Sequence, residues 1–319
     1  GLAVVILAAG EGTRMRSARH KVLHEVAGRP LLEHILRAVA PLAPERTVVV
    51  VGFAGERVRE RFADAGLHFV TQDFNRGYGT GHALLQTAPA LEGCSGPVLV
   101  LNGDGPLLQS ETLKRLVARL EEPGMALVTC DFSNPAVLGR IRRDAAGDLE
   151  AIVEEKDATP EERALREVNP GVYLFDRTVF AKARELRNDN AAGEYYITDL
   201  PALYLAAGER VNTLKIEDER EVLGVNDRRQ LADAERVLQE RLRARWLRAG
   251  VSMVQPETTF LEDTVTLARD VVLEPGVVLR GRTTVGEGAR IGAYSVLEDA
   301  EVAPGARLKP HTLQLAEVD

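Results

Sequence analysis

Hydrophobic positions along this chain fall into three successive regimes. Over roughly the first 225 residues, short apolar runs recur: Leu2 to Leu7, Val48 to Val51, Leu67 to Val70 and Val98 to Leu101. Their length and largely aliphatic or aromatic content, interrupted only by His68 in the third, predict buried parallel strands. Between them, Leu31 to Val39, Arg57 to Ala65 and Leu113 to Leu120 carry apolar residues at helical spacing. This alternation predicts an α/β fold of Rossmann-like type, a mostly parallel sheet with helices on both faces and ligands at the carboxyl ends of the strands.

The second regime, Asp227 to Ala249, is rich in charge. Leu231, Ala234, Leu238, Leu242 and Trp246 stand three or four residues apart, as in an amphipathic helix, and Gly250 suits its end. In the third, aliphatic residues recur every six positions at Leu261, Leu267, Leu273, Leu279, Val285, Ile291 and Leu297, with Val265, Val271 and Val277 four further on. That period predicts a left-handed parallel β-helix of hexapeptide repeats. At about 18 residues per coil, room is expected for fewer than three coils. The domains expected are therefore 1–226, a linker helix 227–250 and a short β-helix 251–319. Exposed flat sides and coil edges favour burial against further copies, as in a homotrimer.

Composition narrows the function. With 319 residues, 45% hydrophobic and 28% charged, the chain has ample core, and its net charge of -8 argues against nucleic acid as a partner. Two cysteines without ligand-like spacing point away from disulfides and zinc and towards a reducing compartment. No apolar stretch approaches the roughly 18 residues that span a membrane. The first residues lead straight into a strand with no basic start or cleavage site, from which a cytoplasmic protein is expected. His20 and His24 have zinc-protease spacing, but Lys21 stands where that motif needs its glutamate, and no serine sits in a hydrolase elbow.

Candidate chemistry gathers where the predicted strands end. Leu7-Ala8-Ala9-Gly10-Glu11-Gly12-Thr13-Arg14-Met15 follows the first strand, and its small residues and glycines let backbone N–H groups face an anion. Arg14 and Lys21 add fixed positive charge. A Walker loop is excluded by spacing, and a dinucleotide loop by Met15 where a third glycine belongs. Asp104, closing Leu101-Asn102-Gly103-Asp104, suits a hard cation that bridges phosphates, or a simple turn. Asn226 offers a second, neutral oxygen or a helix cap. Gly139-Arg140-Ile141, Ile152 to Asp157, Val168 to Gly171 and Glu194 to Asp199 set polar groups beside strand-like runs. Such groups fit sugar hydroxyls; Glu154 fits a solvated strand end equally well.

The order and spacing of several of these elements resemble one family. Leu7 to Met15, Lys21-Val22-Leu23-His24, Gly79-Thr80-Gly81-His82-Ala83, Gly103-Asp104, Gly139-Arg140-Ile141, Ile152 to Ala158, Glu194 to Asp199 and Gly224-Val225-Asn226 are similar to the bacterial bifunctional enzymes that make UDP-N-acetylglucosamine. Residues 2–250 resemble the uridylyltransferase domain of that family, and 251–319 the opening coils of its hexapeptide domain. The Glu-Tyr-Tyr-Ile-Thr-Asp and Lys-Val-Leu-His elements favour it over the thymidylyl- and adenylyltransferases that share the fold.

The resemblance implies roles. Main chain of Leu7, Ala8, Ala9 and Gly10, with Gln72, Gly79 and Thr80, would cradle the uracil and ribose of UTP. Arg14 and Lys21 would bind its phosphates. Asp104 and Asn226 would hold Mg2+, with Asn102 and Gly103 on the same edge. Gly139, Glu154, Asn169 and the segment Tyr195 to Thr198 would grip N-acetylglucosamine 1-phosphate. The implied product feeds peptidoglycan precursors of the cell envelope. In the family the acetyltransferase site is built from later coils and neighbouring subunits, so that activity is not expected here. Asp73 to Tyr78 is longer than the family's usual segment, which alters the uracil-side loop. The competing readings are transfer to another sugar 1-phosphate or from another nucleotide, and a catalytically silent sensor or assembly subunit.

Overall fold

A computed structural model describes residues 1–52 and 54–315. The chain forms two compact units, Gly1–Leu23 with Leu31–Asp227, and His24–Pro30 with Arg228–Asp319.

The first unit is built on a ten-stranded sheet. Its strands are β1 (Ala3–Ala8), β2 (Arg46–Val51), β3 (His68–Thr71), β4 (Val98–Asn102), β5 (Gly124–Asp131), β6 (Gly139–Arg143), β7 (Leu149–Val153), β8 (Glu167–Asn169), β9 (Val172–Phe175) and β10 (Arg210–Ile216). The order is β3-β2-β1-β4-β9-β5-β8-β6-β7, with β10 alongside β5. Side chains alternate across β1. Val4 and Ile6 join a core with Leu32 and Ile35 of helix α1 (Leu31–Val39), while Ala3 and Val5 join another with Leu84 of a later helix, Phe175 and Tyr204. Two opposite cores explain why these strands read as apolar runs. The expected Arg57 to Ala65 helix is shorter, α2 (Glu56–Arg61).

The expectation of a mostly parallel sheet holds for half of it. β3, β2, β1 and β4 are parallel, as are β10 and β5. The pairings β4–β9, β9–β5, β5–β8, β8–β6 and β6–β7 are antiparallel. β6 and β7 are joined by Asp144 to Asp148, where Asp144 N–H donates to the Asp148 carbonyl over 2.9 Å. That turn is far below the dozen or so residues that a parallel crossover needs.

In the second unit a helix runs Arg228–Arg248 and stops at Gly250, whose φ of 92° favours glycine. Its buried residues are Ala234, Val237, Gln239 and Leu242. Gln239, unexpected in an apolar stripe, donates to the Leu261 carbonyl over 2.7 Å and accepts from Leu261 N–H over 2.9 Å, replacing a strand partner. The hairpin strands Glu25–Val26 and Arg29–Pro30 join this unit through Ala27 N–H to Glu235 (2.9 Å) and the Arg29–Asp263 ion pair (2.8 Å).

Beyond the helix lies the left-handed parallel β-helix, three ladders of short parallel strands. All seven aliphatic positions at sixfold spacing are buried. The coil count was expected too low: the ladders hold four, four and three strands among the described residues. Val278 pairs with Val296 eighteen residues on, but Val296 pairs with Leu313 only seventeen on. One residue is missing at the corner of Asp299 and Ala300, so Val302 and Leu308 continue the core out of phase with a strict count. Among the described residues no helix is long and apolar enough to cross a membrane.

Candidate active site

The parallel strands point their carboxyl ends at one cleft. β1 ends at Ala8, and at Gly10 an added Cβ would meet nothing within 4 Å, leaving the backbone open to a ligand. Gly12 has φ +62°, and a Cβ there would come within 2.8 Å of Lys21 Cβ. Glycine thus lets the lysine stem pass against the loop. Lys21 lies on the single turn Lys21–Leu23. Its ammonium donates to Asp104 Oδ2 over 2.8 Å and to Asn226 Oδ1 over 3.0 Å. Asp104 follows β4, and Val225 N–H donates to its carbonyl over 2.8 Å, which fixes Asn226 beside it.

The ammonium therefore marks a point where a carboxylate oxygen and a carboxamide oxygen converge on positive charge. Among the described residues there is no group of three or more His, Cys, Asp or Glu side chains placed to hold a metal. One charged and one neutral oxygen fit magnesium, which completes its shell with substrate and water oxygens, better than zinc or calcium, which take fuller protein cages.

A cavity of about 360 Å³ opens on this point. Leu7, Ala9, Gly10 and Lys21 form one side; Gln72, Phe74, Tyr78, Gly79 and Thr80 another; Asn102, Asp104 and Glu194 close it. Helix α3 (Thr80–Gln86) begins in its wall. Gly79 has φ +101°, and a Cβ there would sit 2.5 Å from the Tyr195 carbonyl oxygen. This close approach lets Gly81 N–H donate to Tyr195 (2.8 Å) and Ile197 N–H to Thr80 Oγ1 (3.1 Å). Gln72 is buried, and its amide donates to the Gly79 carbonyl over 3.2 Å.

An adjoining cavity of about 150 Å³ shares Thr80 and Asn102 with the first. Gly139, Glu154, Asn169, Tyr173 and Thr198 are among its walls. Thr198 Oγ1 donates to Glu154 Oε1 over 2.8 Å. Burial pushes the Glu154 carboxyl above its ordinary range, and Asp199, Asp157 and Glu194 push it further against the Thr198 bond. Asn169 Nδ2 donates to the Tyr173 hydroxyl over 2.6 Å, while its Oδ1 accepts from Gly171 N–H over 3.2 Å. Asn169 is thereby locked in place.

Nine residues singled out from sequence, Leu7, Ala9, Gly10, Lys21, Gln72, Gly79, Thr80, Asn102 and Asp104, wall the larger cavity, and Gly139, Glu154 and Asn169 the smaller. Others stand elsewhere. Ala8 is buried in the core beneath the loop. Gly103 N–H is taken by the Leu7 carbonyl (2.8 Å), and a Cβ there would lie 3.0 Å from Ala8, so it serves the close packing of β1 on β4. Arg14 is exposed on the turn Thr13–Met15 and outside both sets of wall residues. Phe74, Tyr78 and Tyr173 were missed; the signal was an aromatic bracketed by glycines in Gly77-Tyr78-Gly79. A larger open trough, about 820 Å³ between α1 and α2, contains none of the strand-end residues.

Residues 4–197 match a MobA-like NTP transferase domain. A bifunctional protein GlmU of Thermus thermophilus is 50% identical over 310 residues, 97% of this chain and 68% of that protein. The GlmU protein of Thermobifida fusca is 47% identical over 311 residues, 95% of this chain and 64% of that one. A solved structure, a putative glucose-1-phosphate thymidylyltransferase from Bacillus anthracis in complex with a sucrose, matches with a TM-score of 0.59 at 19% identity, over 74% of this chain and 95% of that one. This last is a likeness of fold. The chain spans about two thirds of the length of its bifunctional relatives, and with about half of the aligned residues identical it belongs to the GlmU family.

Proposed function

We propose that this protein transfers the uridylyl group of UTP to N-acetylglucosamine 1-phosphate, giving UDP-N-acetylglucosamine and pyrophosphate for cell-envelope synthesis in the cytoplasm. The observation that carries the reading is the pair of cavities meeting at Thr80 and Asn102, one walled by Lys21 and Asp104, which Asn226 joins through the lysine, and the other by the half-buried carboxyl of Glu154. A two-substrate displacement needs two compartments sharing a wall at the reacting atoms.

The sugar phosphate oxygen attacks the α-phosphorus of UTP, the α–β bridging bond breaks, and pyrophosphate leaves with the electron pair. A phosphate monoester is largely dianionic near neutral pH, its second pKa being about 6, so no general base is required. The protein must bring two anions together and steady the departing one. Positioning and fixed charge are the main terms in such transfers. Lys21 pairs with Asp104 and carries the charge that a triphosphate needs; Arg14, exposed on the turn Thr13–Met15 at the end of the glycine-rich loop, supplies a second positive charge for the phosphates. Asp104 and Asn226 would hold Mg2+, which would supply positive charge to offset the negative charge of the reacting phosphates. Glu154 and Thr198 accept and donate hydrogen bonds to the sugar, and Gly139 leaves room beside them. The β-helix, with its exposed strand edges, supports association as a homotrimer.

Pyrophosphate release over a matrix of nucleoside triphosphates and sugar 1-phosphates, with and without magnesium, tests the reading. UTP with N-acetylglucosamine 1-phosphate is expected to be the fastest pair and to require the metal. A faster pair with another sugar or base would replace the assigned substrate, and silence throughout would remove the activity. Light scattering on the eluted protein tests the trimer.

A further inference from the structure

Tyr78 and Phe74 stand where no step of the transfer calls for an aromatic side chain. Tyr78 is 57% exposed, yet its ring lies 5.2 Å from that of Phe74, centroid to centroid, and tilted by 33°. Both residues wall the larger cavity. The segment carrying them is tied down at each end. Asp73 N–H donates to Gln86 Oε1 of α3 over 2.9 Å, and Asp73 closes a turn by accepting from Asn75 N–H (3.0 Å) and Arg76 N–H (3.1 Å). On the other side, Tyr195 N–H donates to the Tyr78 carbonyl over 2.9 Å. Gly77 and Gly79, with φ of 155° and 101°, flank Tyr78. A Cβ at Gly77 would lie 3.0 Å from the His82 ring. The two glycines press the chain against its support and leave the tyrosine standing out from it.

Sheet order decides which end of a nucleotide this pair meets. In β3-β2-β1-β4 the segment after β3 and Asp104 after β4 are three strand spacings apart, roughly 14 Å. Phosphates belong at the Lys21–Asp104 end, so the far end receives the nucleoside. We infer that Tyr78, backed by Phe74, is the stacking platform for the nucleobase; the inference rests on the nucleotidyl-transfer reading of the same cleft. Every base presents a π-face, and stacking on an aromatic ring requires no hydrogen-bond match. A platform of this kind raises affinity for the nucleoside and leaves the chemical step alone. The loop's unusual length then has a purpose, since it carries the ring out to the base.

The test uses the full chain with magnesium, comparing calorimetric binding of UTP with that of inorganic tripolyphosphate, which lacks a base. Tyr78→Ala is expected to weaken UTP about tenfold, as for loss of one stacked base, with tripolyphosphate binding and the melting temperature unchanged. Tyr78→Phe should restore UTP binding. In turnover, KM for UTP rises by the same factor while kcat stays level, and Tyr78→Trp gives an indole emission quenched by UTP but not by tripolyphosphate. Equal UTP affinity in wild type and Tyr78→Ala overturns the platform, as does an equal loss of tripolyphosphate. Tyr78-dependent UTP binding in a protein that releases no pyrophosphate upholds the platform and sinks the transfer reading.

Discussion

In the β-helix, ladder partners lie eighteen or seventeen residues apart and each rung repeats the one before it, whereas in the cleft Lys21 meets Asp104 across 83 positions and Asn226 across 205. A repeat shares its energy among many similar apolar contacts. The cleft has one lysine, one aspartate and one asparagine at its centre. Substitutions in the two regions should therefore separate cleanly, costing activity in one and stability in the other.

The largest effect is expected at Asp104. Asp104→Ala should lower kcat by at least ~10², the scale of losing one preorganised electrostatic group, and Lys21→Ala by a similar factor. Thermal melting should barely move, because the Lys21–Asp104 pair is partly exposed, at 13% and 21%. Near-wild-type pyrophosphate release by either purified variant would break the comparison.

Gln239 offers the opposite case. Gln239→Leu strands the N–H and carbonyl of Leu261, a fully buried residue, and should cost about 2–4 kcal/mol in denaturant unfolding of the β-helix unit. Turnover per folded molecule should stay at the wild-type value. Unfolding at unchanged denaturant would show that the amide contributes little beyond its volume.

Smaller effects sharpen the contrast at Glu154, where activity and stability pull apart within one residue. Glu154→Gln keeps the shape but removes a charged acceptor, and should raise KM for the sugar phosphate about tenfold with little change in KM for UTP. Burial raises the Glu154 pKa above its ordinary 4.5. Between these two values the folded protein holds the proton more tightly than the unfolded chain, so stability falls as pH rises through the window, and the cost of the buried charge is complete above it. The ligand-free Glu154→Gln protein should melt higher than wild type at neutral pH. Titrating downward should close that gap below the ordinary carboxylate range, and a gap that persists there would assign it to packing.

The sequence made some of this plain for physical reasons. Leu261 through Ile291 announce the β-helix because a fixed period survives any ignorance of tertiary contacts, and Gly10, Lys21 and Asp104 stand out because strand ends are where a parallel sheet binds. Strand direction was less visible: an apolar run looks alike in either orientation, and only the turn at Asp144 to Asp148 and the break at Pro170-Gly171 hint at the antiparallel half. The single-residue shortening near Asp299 threw the sixfold count out of phase. Gln239 escaped because a polar residue in an amphipathic helix is read as solvated. Tyr78 escaped because exposure, loop anchorage and the Phe74 contact exist only once Tyr195, far along the chain, has packed against the segment.

The central claim is that this cleft joins UTP to a sugar 1-phosphate by breaking the α–β bond. Phosphorus NMR of the protein with UTP, N-acetylglucosamine 1-phosphate and magnesium follows every phosphorus at once. All three UTP resonances and the monoester resonance should fade together, replaced by a diphosphodiester pair and pyrophosphate in equal amounts. Release of inorganic phosphate with UDP, or a monoester signal that persists while UTP is consumed, would contradict the claim.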